Sequence, residues 1–288
     1  MPFAARPHFD WRLRTRFLPL GQRTLLMGIL NVTPDSFSDG GQFSSAARAT
    51  DHALRMLGDG ADILDLGGES TRPNAVPVTP AEEQGRVLPV LRAILAARPS
   101  AVVSIDTYHA ETARLAVEAG AEIVNDVSGH LWDAAMSVTC ATLGCGAILM
   151  HTRGRPQQWH TQPPLPPDEI LPLVLGGLKA RAEAALAAGI AREAIVLDPG
   201  FGFGKVLDEN YPLLAHFDQL HTLGFPVLAG VSRKSFLTRA VHSQAVDELP
   251  TTVANTAAIL AGAHILRVHE VRAARDTSAI ADRILASC

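Results

Sequence analysis

The chain is poor in aromatic side chains, in cysteine and in any excess of one charge. Only 5% of its 288 residues are Phe, Trp or Tyr, so a core has to be filled by Ala, Leu, Val and Ile. The three cysteines, Cys140, Cys145 and Cys288, match neither a disulfide framework nor a zinc-ligand spacing. They read as small core or surface thiols, and a reducing compartment, the cytoplasm, is the expectation. A net charge of -4 leaves no electrostatic footprint for nucleic acid. No apolar stretch approaches the ~18 residues of a membrane span, so neither a membrane nor a nucleic acid is expected as a partner. The opening stretch MPFAARPHFDWRLRTRF is basic but lacks the apolar segment of a secretory leader. Asp10 and the lack of Ser speak against an organelle-targeting segment.

What the chain does have is apolar residues, 47% against 19% charged, enough for a large core. They fall into eight short runs: TLLMGIL from Thr24, ADILDLG from Ala61, AVVSID from Ala101, AEIVND from Ala121, GAILMH from Gly146, AIVLDPG from Ala194, PVLAGVS from Pro226 and AHILRVH from Ala263. Mostly not alternating, they read as strands buried on both faces. Helical patterns lie between them, at Ser44–Gly58, Pro80–Ala97, Leu131–Leu143, Ala110–Gly120, Asp168–Gly189, Leu207–Leu223, Val253–Gly262 and Val271–Ala286. Thr79 with Glu82 three residues later has capping-box spacing. Strand and helix units of roughly 36 residues each predict an α/β chain folded as a single-domain (β/α)8 TIM barrel over residues 24–288, after an extension of residues 1–23. A doubly wound open sheet is the alternative, but it usually has a Gly-rich turn after its first strand, where this chain has Asn-Val-Thr-Pro. Arg153–Pro167, RGRPQQWHTQPPLPP, reads as an irregular loop.

Polar residues follow nearly every strand. Asn31 closes the first, Gly67–Pro73 follows the second, and Asp106 and Asn125-Asp126 close the third and fourth. Met150-His151 and Asp198 close the fifth and sixth, Ser232-Arg233-Lys234 follows the seventh, and Arg267 and His269 close the eighth. In a barrel these ends converge on one mouth, where active sites are found. One such residue is an ordinary turn former; eight in register are a site.

The groups sort into two chemistries. Asp106, Asn125, Asp198 and Lys234 suit a flat heterocycle with adjacent N–H donors and a ring acceptor, because leaving such groups buried and unpaired costs about 1–3 kcal/mol each. Arg72, Arg267 and His269 suit a phosphate or diphosphate. Asn31 offers a neutral oxygen that Mg²⁺ accepts beside phosphate oxygens. Gly200–Lys205, GFGFGK, is not a P-loop: Pro199 stands where the first Gly belongs and Val206 where Ser or Thr belongs. Its glycines read as letting backbone approach a planar ligand, with Phe203 available to stack. His264 reads as a barrel residue, and the scattered histidines have no metal spacing.

The stretches MGILNVTPDSFSDGG, DLGGESTRP, SIDTYHAE, EIVNDVSG, LDPGFGFGK, GVSRKSFL and HILRVHEV resemble, in order, the motifs of the dihydropteroate synthase family. The resemblance runs from Thr24 to Leu285. It implies a barrel that condenses 6-hydroxymethyl-7,8-dihydropterin diphosphate with p-aminobenzoate, giving 7,8-dihydropteroate and diphosphate. It implies a pterin pocket at Asp106, Asn125, Asp198 and Lys234, lined by Met150 and Phe203. It implies a diphosphate site at Thr71, Arg72, Arg267 and His269, Mg²⁺ at Asn31, and p-aminobenzoate near Ser232, Arg233, Phe37 and Pro73. Homodimers and sulfonamide inhibition are implied in the same way. Asn74, His109, Asn255 and the 153–167 loop depart from the family pattern without touching the pocket set.

The expected chemistry is early loss of diphosphate, with Asp35, Lys234, Arg267 and His269 as catalytic groups. The segment after Asn31, stiffened by Pro34 and hinged at Gly40-Gly41, would close as a lid together with Glu69–Pro73. Asp35 would favour the carbocation and Phe37 would pack on the arylamine. A methyltetrahydrofolate-dependent methyltransferase would share the Asp/Asn pocket without the diphosphate cations. A non-catalytic pterin-binding barrel would not need the set Asn31, Arg72, Lys234 and His269.

Overall fold

The computed structural model describes residues 3, 5–32, 41–69, 77–241 and 248–287, without the side chains of 41–45 and 160. The expected site residues Asp35, Phe37, Thr71, Arg72 and Pro73 lie outside the described residues.

All eight apolar runs form parallel strands: β3 (Leu25–Asn31), β4 (Ile63–Gly67), β5 (Val102–Asp106), β6 (Ile123–Asp126), β7 (Gly146–Met150), β8 (Ile195–Asp198), β9 (Leu228–Ala229) and β10 (Ile265–Val268). Their hydrogen-bonded order is β8-β7-β6-β5-β4-β3-β10-β9, and a parallel bridge between Leu197 and Val227 closes the ring. The helices are α1 (Gly41–Asp59), α2 (Pro80–Ala97), α3 (Ala110–Glu118), α4 (Met136–Leu143), α5 (Pro167–Ala187), α6 (Asn210–Ala215), α7 (Ser235–Ala240), α8 (Leu249–Leu260) and α9 (Val271–Leu285). The capping box at α2 forms as its spacing predicts: the Glu82 amide donates to Thr79 Oγ1 at 3.3 Å, and the Thr79 amide donates to Glu82 Oε2 at 2.9 Å.

Two local expectations are corrected. The stretch Leu207–Leu223 is not one helix but a 3-10 turn at Leu207–Glu209, the short α6, and a second 3-10 segment at Phe217–Leu223. Pro212 has no N–H to bond back to Asp208 and its ring crowds that carbonyl, so a helix cannot run through from Leu207. The 153–167 loop contains a 3-10 turn at Pro156–Thr161.

Barrel strands alternate between an outer face on the helices and an inner face. Met27, Ile63, Val102, Ile123, Ile148, Val196, Leu228 and Ile265 share one buried cluster, separate from the larger helix–sheet core. They form the apolar lower interior of the barrel. The same cluster takes in Trp11, Leu13 and Leu20 from an antiparallel hairpin, β1 (Phe9–Arg12) with β2 (Phe17–Leu20). The segment placed ahead of the barrel thus packs into it. Trp11 is fully buried and its Nε1 donates to the Ala194 carbonyl, just before β8, at 2.9 Å. The Thr15 amide donates to Glu122, just before β6, at 2.9 Å. His264 ties the hairpin strap down, with Nε2 2.9 Å from the Pro7 carbonyl and Nδ1 accepting from the Val227 amide at 3.1 Å. The hairpin plugs the N-terminal mouth and leaves the C-terminal mouth for chemistry.

Candidate active site

Two residues further along, the barrel interior turns polar on five of the eight strands, while Ile29, Met150 and Gly230 stand at the same level on the other three. Above Ile63, Val102, Ile123, Val196 and Ile265 stand Asp65, Ser104, Asn125, Asp198 and Arg267. The change follows from the side-chain period of two: residues i and i+2 share a face. Above this layer lies a cleft of about 180 Å³ whose walls include Asn31, Glu69, Asp106, Phe203, Ser232, Arg233, Lys234, Arg267 and His269. Asn125, Asp198 and Met150 are buried; Asn125 donates to Asp65, which also holds Arg267, and Asp198 lies beside Gly230 of the cleft wall.

Arg267 is the hub. Its Nε donates to Asp65 Oδ2 at 2.6 Å and its Nη2 to Asp106 Oδ2 at 2.5 Å. Asn125 Nδ2 donates to the same Asp65 oxygen at 2.9 Å. Burial works against the Arg267 charge, but Asp65 and Asp106 outweigh it and raise the pKa. Burial pushes the Asp106 carboxyl up, against the pull of Arg267. Asp198 is likewise raised by burial, and the Gly200 amide donating to its Oδ1 at 2.7 Å and the cations Lys234 and Arg267 hold it back. Asp198 and Arg267 both flank Gly230, where an added Cβ would lie 3.7 Å from Asp198 Oδ2 and 3.9 Å from Arg267 Cβ. The carboxylates expected to read a ring and the cation expected to read an anion are therefore joined through Arg267.

Lys234 precedes α7 and is lowered to about 8, first by burial and then by Arg267, against the pull of Asp198 and Asp106. Its Nζ rests 3.9 Å from the centre of the Phe203 ring, a cation–π contact that engages a ring expected to stack on ligand. Ser232 Oγ lies 2.9 Å from His269 Nδ1 and accepts from the His269 amide at 3.3 Å. Arg233, with positive φ of 56°, pairs its guanidinium with Glu270 at 2.6 Å and Glu248 at 3.6 Å.

The GFGFGK loop differs from its expected use. A Cβ on Gly200 would lie 2.1 Å from the His151 carbonyl oxygen, and one on Gly204 2.7 Å from the Arg153 carbonyl oxygen. These two glycines admit neighbouring protein backbone, not a ligand. Lys205 is buried in the same turn, its Nζ donating to the Gly200 carbonyl at 2.7 Å and the His151 carbonyl at 3.3 Å. The 153–167 loop does touch the pocket set, because the Arg153 amide donates to the Phe203 carbonyl at 3.2 Å and Trp159 packs on the Phe203 ring. A buried Arg153–Glu209 pair at 3.1 Å joins the two loops.

Asn31 Oδ1 faces the cleft beside Gly67, where an added Cβ would lie 3.5 Å from it and 3.5 Å from Asp106 Cβ. A single neutral oxygen fits Mg²⁺ as one protein ligand among phosphate oxygens and waters. Among the described residues, Glu69, Glu83 and His109 also bring ligand atoms within 4.8 Å of one another. Their contacts are internal: His109 Nδ1 lies 3.0 Å from Glu83 Oε2, and Tyr108 donates to Glu69 Oε1 at 2.8 Å. They form a hydrogen-bonded buttress under the start of the β4–α2 loop.

Sequence reasoning missed Asp65. It looked for polar groups beyond each strand, and Asp65 lies within one, two residues short of the end. The signal was present: a charge inside an apolar run, on the same parity as Ile63 and Gly67.

The sequence model of the family described as pterin binding enzyme matches residues 27–269. A dihydropteroate synthase of Streptococcus pyogenes serotype M3 is 42% identical over 263 residues, 90% of this chain and 95% of that protein. The solved structure of Xanthomonas albilineans dihydropteroate synthase with 4-aminobenzoic acid superposes with a TM-score of 0.87 at 38% identity, covering 98% of this chain and 99% of that one. That of the Anaplasma phagocytophilum enzyme with bound 6-hydroxymethylpterin-monophosphate gives 0.83 at 33% identity, covering 91% and 99%. With a closed eight-stranded barrel whose mouth gathers these carboxylates and cations, the chain belongs to the pterin-binding enzymes and, among them, to the dihydropteroate synthases.

Proposed function

We propose that this chain condenses 6-hydroxymethyl-7,8-dihydropterin diphosphate with p-aminobenzoate, releasing 7,8-dihydropteroate and diphosphate. The observation that carries the reading is Arg267 held between Asp65 and Asp106 at the base of the cleft, a fixed cation beside acceptors suited to a heterocycle. Asp198, Asn125 and Asp106 accept from ring N–H groups, and Lys234 donates to a ring oxygen or nitrogen, with Met150 and Phe203 as apolar walls. Arg267 and His269, with Thr71 and Arg72 by resemblance, take the diphosphate. Ser232 and Arg233, with Phe37 and Pro73 by resemblance, take the p-aminobenzoate side.

In the reaction, the bond from the pterin methylene carbon to the diphosphate oxygen breaks, and its electron pair leaves with diphosphate. Ring electrons stabilise the carbocation, while Arg267 and His269 stabilise the departing charge. The aniline nitrogen then forms the new C–N bond and loses a proton afterwards, so no strong base is needed. Asn31 would hold Mg²⁺, which when bound supplies further neutralisation of diphosphate charge. By the resemblance alone, Asp35 would favour the cation, and the segments after Asn31 and Gly68 would exclude water that captures it.

The assay is diphosphate release with each substrate alone and with both, and detection of dihydropteroate by mass. Turnover that needs both supports the reading. Methyl transfer from methyltetrahydrofolate, or pterin binding without diphosphate release, would replace it with one of the rivals. A homodimer belongs to the same proposal, supported by the exposed apolar residues Leu249 and Val253 on α8 and Ile280 on α9; light scattering checks it. Among the described residues no helix is long and apolar enough to cross a membrane.

A further inference from the structure

Strand β4 reads Ile-Leu-Asp-Leu-Gly and is buried along its whole length. Asp65 is its charged residue, and its side chain has no exposed surface. A carboxylate so placed is tolerated only when paired and hydrogen-bonded. Here one oxygen, Oδ2, accepts both from Arg267 Nε at 2.6 Å and from Asn125 Nδ2 at 2.9 Å. The other, Oδ1, has no hydrogen-bond partner, and neither does the buried hydroxyl of Ser104, its register neighbour on β5.

The two carboxylates that hold Arg267 stand in different positions. Asp106 is 15% exposed and forms part of the cleft wall, so a substrate can reach it and exchange for Arg267. Asp65 is sealed beneath the cleft, where no substrate reaches it. We infer that Asp65 is the positioning residue of this site, the anchor that aims Arg267 at the leaving group and sets the direction of the Asn125 amide. A carboxylate can only accept. It therefore fixes the Asn125 NH₂ toward itself and leaves the amide oxygen as the end that faces a ring N–H. It also holds Arg267 by Nε, so the guanidinium keeps its plane when Asp106 turns to the substrate. One buried charge thereby couples recognition of the ring to recognition of its anionic tail.

This inference rests on the reading of the cleft as a pterin and diphosphate site. Wild-type turnover tests that reading; a comparison of variants tests this one. The variants are Asp65→Asn, Arg267→Gln and the pair together, each compared by kcat/KM and by calorimetric binding of inorganic diphosphate in the presence of 6-hydroxymethylpterin. Asp65→Asn should lower diphosphate affinity by about tenfold or more, and the double variant should be no worse than Arg267→Gln alone, the non-additivity expected of residues acting as a unit. Additive losses, or wild-type binding by a folded Asp65→Asn protein, would overturn the inference. Asp106→Asn keeps it decidable if Asp65→Asn does not fold. With Asp65 as anchor, Asp106→Asn should weaken pterin binding while retaining diphosphate binding. If it abolishes diphosphate binding as fully as Arg267→Gln does, Asp65 is not the anchor.

Discussion

Trp159 meets the ring of Phe203 edge to face, with 5.0 Å between centroids and an interplanar angle of 87°. Phe203 in turn carries Lys234 at 3.9 Å. A residue of the 153–167 loop thus connects to a pocket cation through one aromatic ring. Edge-to-face pairs contribute about 0.5–1.5 kcal/mol beyond their buried area, enough to bias which way Phe203 turns. Trp159→Ala should therefore weaken pterin binding several-fold, while p-aminobenzoate KM changes little. Trp159→Phe should restore most of the loss. Unchanged pterin affinity in a folded Trp159→Ala protein would show that Phe203 holds its place without the loop.

Lys234 links binding to stability through its proton. Burial and then Arg267 lower it from 10.5 to about 8 in the native chain. Between those values the unfolded chain binds a proton that the native chain does not, so stability rises with pH across that window. Below about 8 both states carry the proton, and the penalty for burying the charge is fully present. Lys234→Met should therefore raise the Tm of the ligand-free protein at pH 7. That gain over wild type should shrink as pH climbs from about 8 toward 10.5. Lys205, lowered by burial and also by Lys234, is relieved in the variant, a change of the same sign. Pterin affinity should move the other way, falling in the wild type as pH passes 8, because the charged amine is the stronger donor. A Tm gap that does not depend on pH would remove the charge from the account.

The hairpin plug separates stability from catalysis. Trp11 fills the closed mouth, far along the strands from the cleft. Trp11→Ala should lower stability by about 3–5 kcal/mol, as for other buried aromatic truncations, and leave KM for both substrates unchanged in the folded fraction. Urea denaturation alongside steady-state kinetics measures both. A raised pterin KM with unaltered stability would place the plug in the catalytic machinery.

The barrel was legible because each strand is buried on both faces, so Ile, Val and Leu run together and stand out from the amphipathic helices. The site was legible where polar residues end a strand, as at Asn31, Asp106, Asn125, Asp198 and Arg267. What escaped notice lay where a residue's role depends on its neighbours in space. Asp65 has its meaning only through Arg267, some two hundred positions away, and from Asn125 between them. In the segment FDWR, Phe9 and Trp11 alternate with Asp10 and Arg12, the pattern of a half-buried strand, yet nothing local says that Trp11 enters a barrel floor. Trp159 looked incidental because its partner Phe203 belongs to another loop.

Glycine positions around Asp198 separate two causes of glycine use. Gly200 has φ of +68°, and a Cβ there would meet the His151 backbone oxygen at 2.1 Å, a group that cannot swing aside. Gly202 has φ of +81°, but its nearest neighbour would be Lys234 Cδ at 3.4 Å, part of a flexible side chain. Left-handed backbone disfavours Ala at both positions by about 1–3 kcal/mol; only at Gly200 is there also a collision. Gly200 further supplies the amide that donates to Asp198 at 2.7 Å, so displacing it removes that bond. Gly200→Ala should therefore abolish pterin binding and lower Tm strongly. Gly202→Ala should fold, bind pterin a few-fold less tightly, and show its defect through Lys234. Calorimetric pterin titration and thermal melts of the two variants make the comparison. Equal defects would mean that backbone strain alone, and not contact with His151, dictates glycine in this turn.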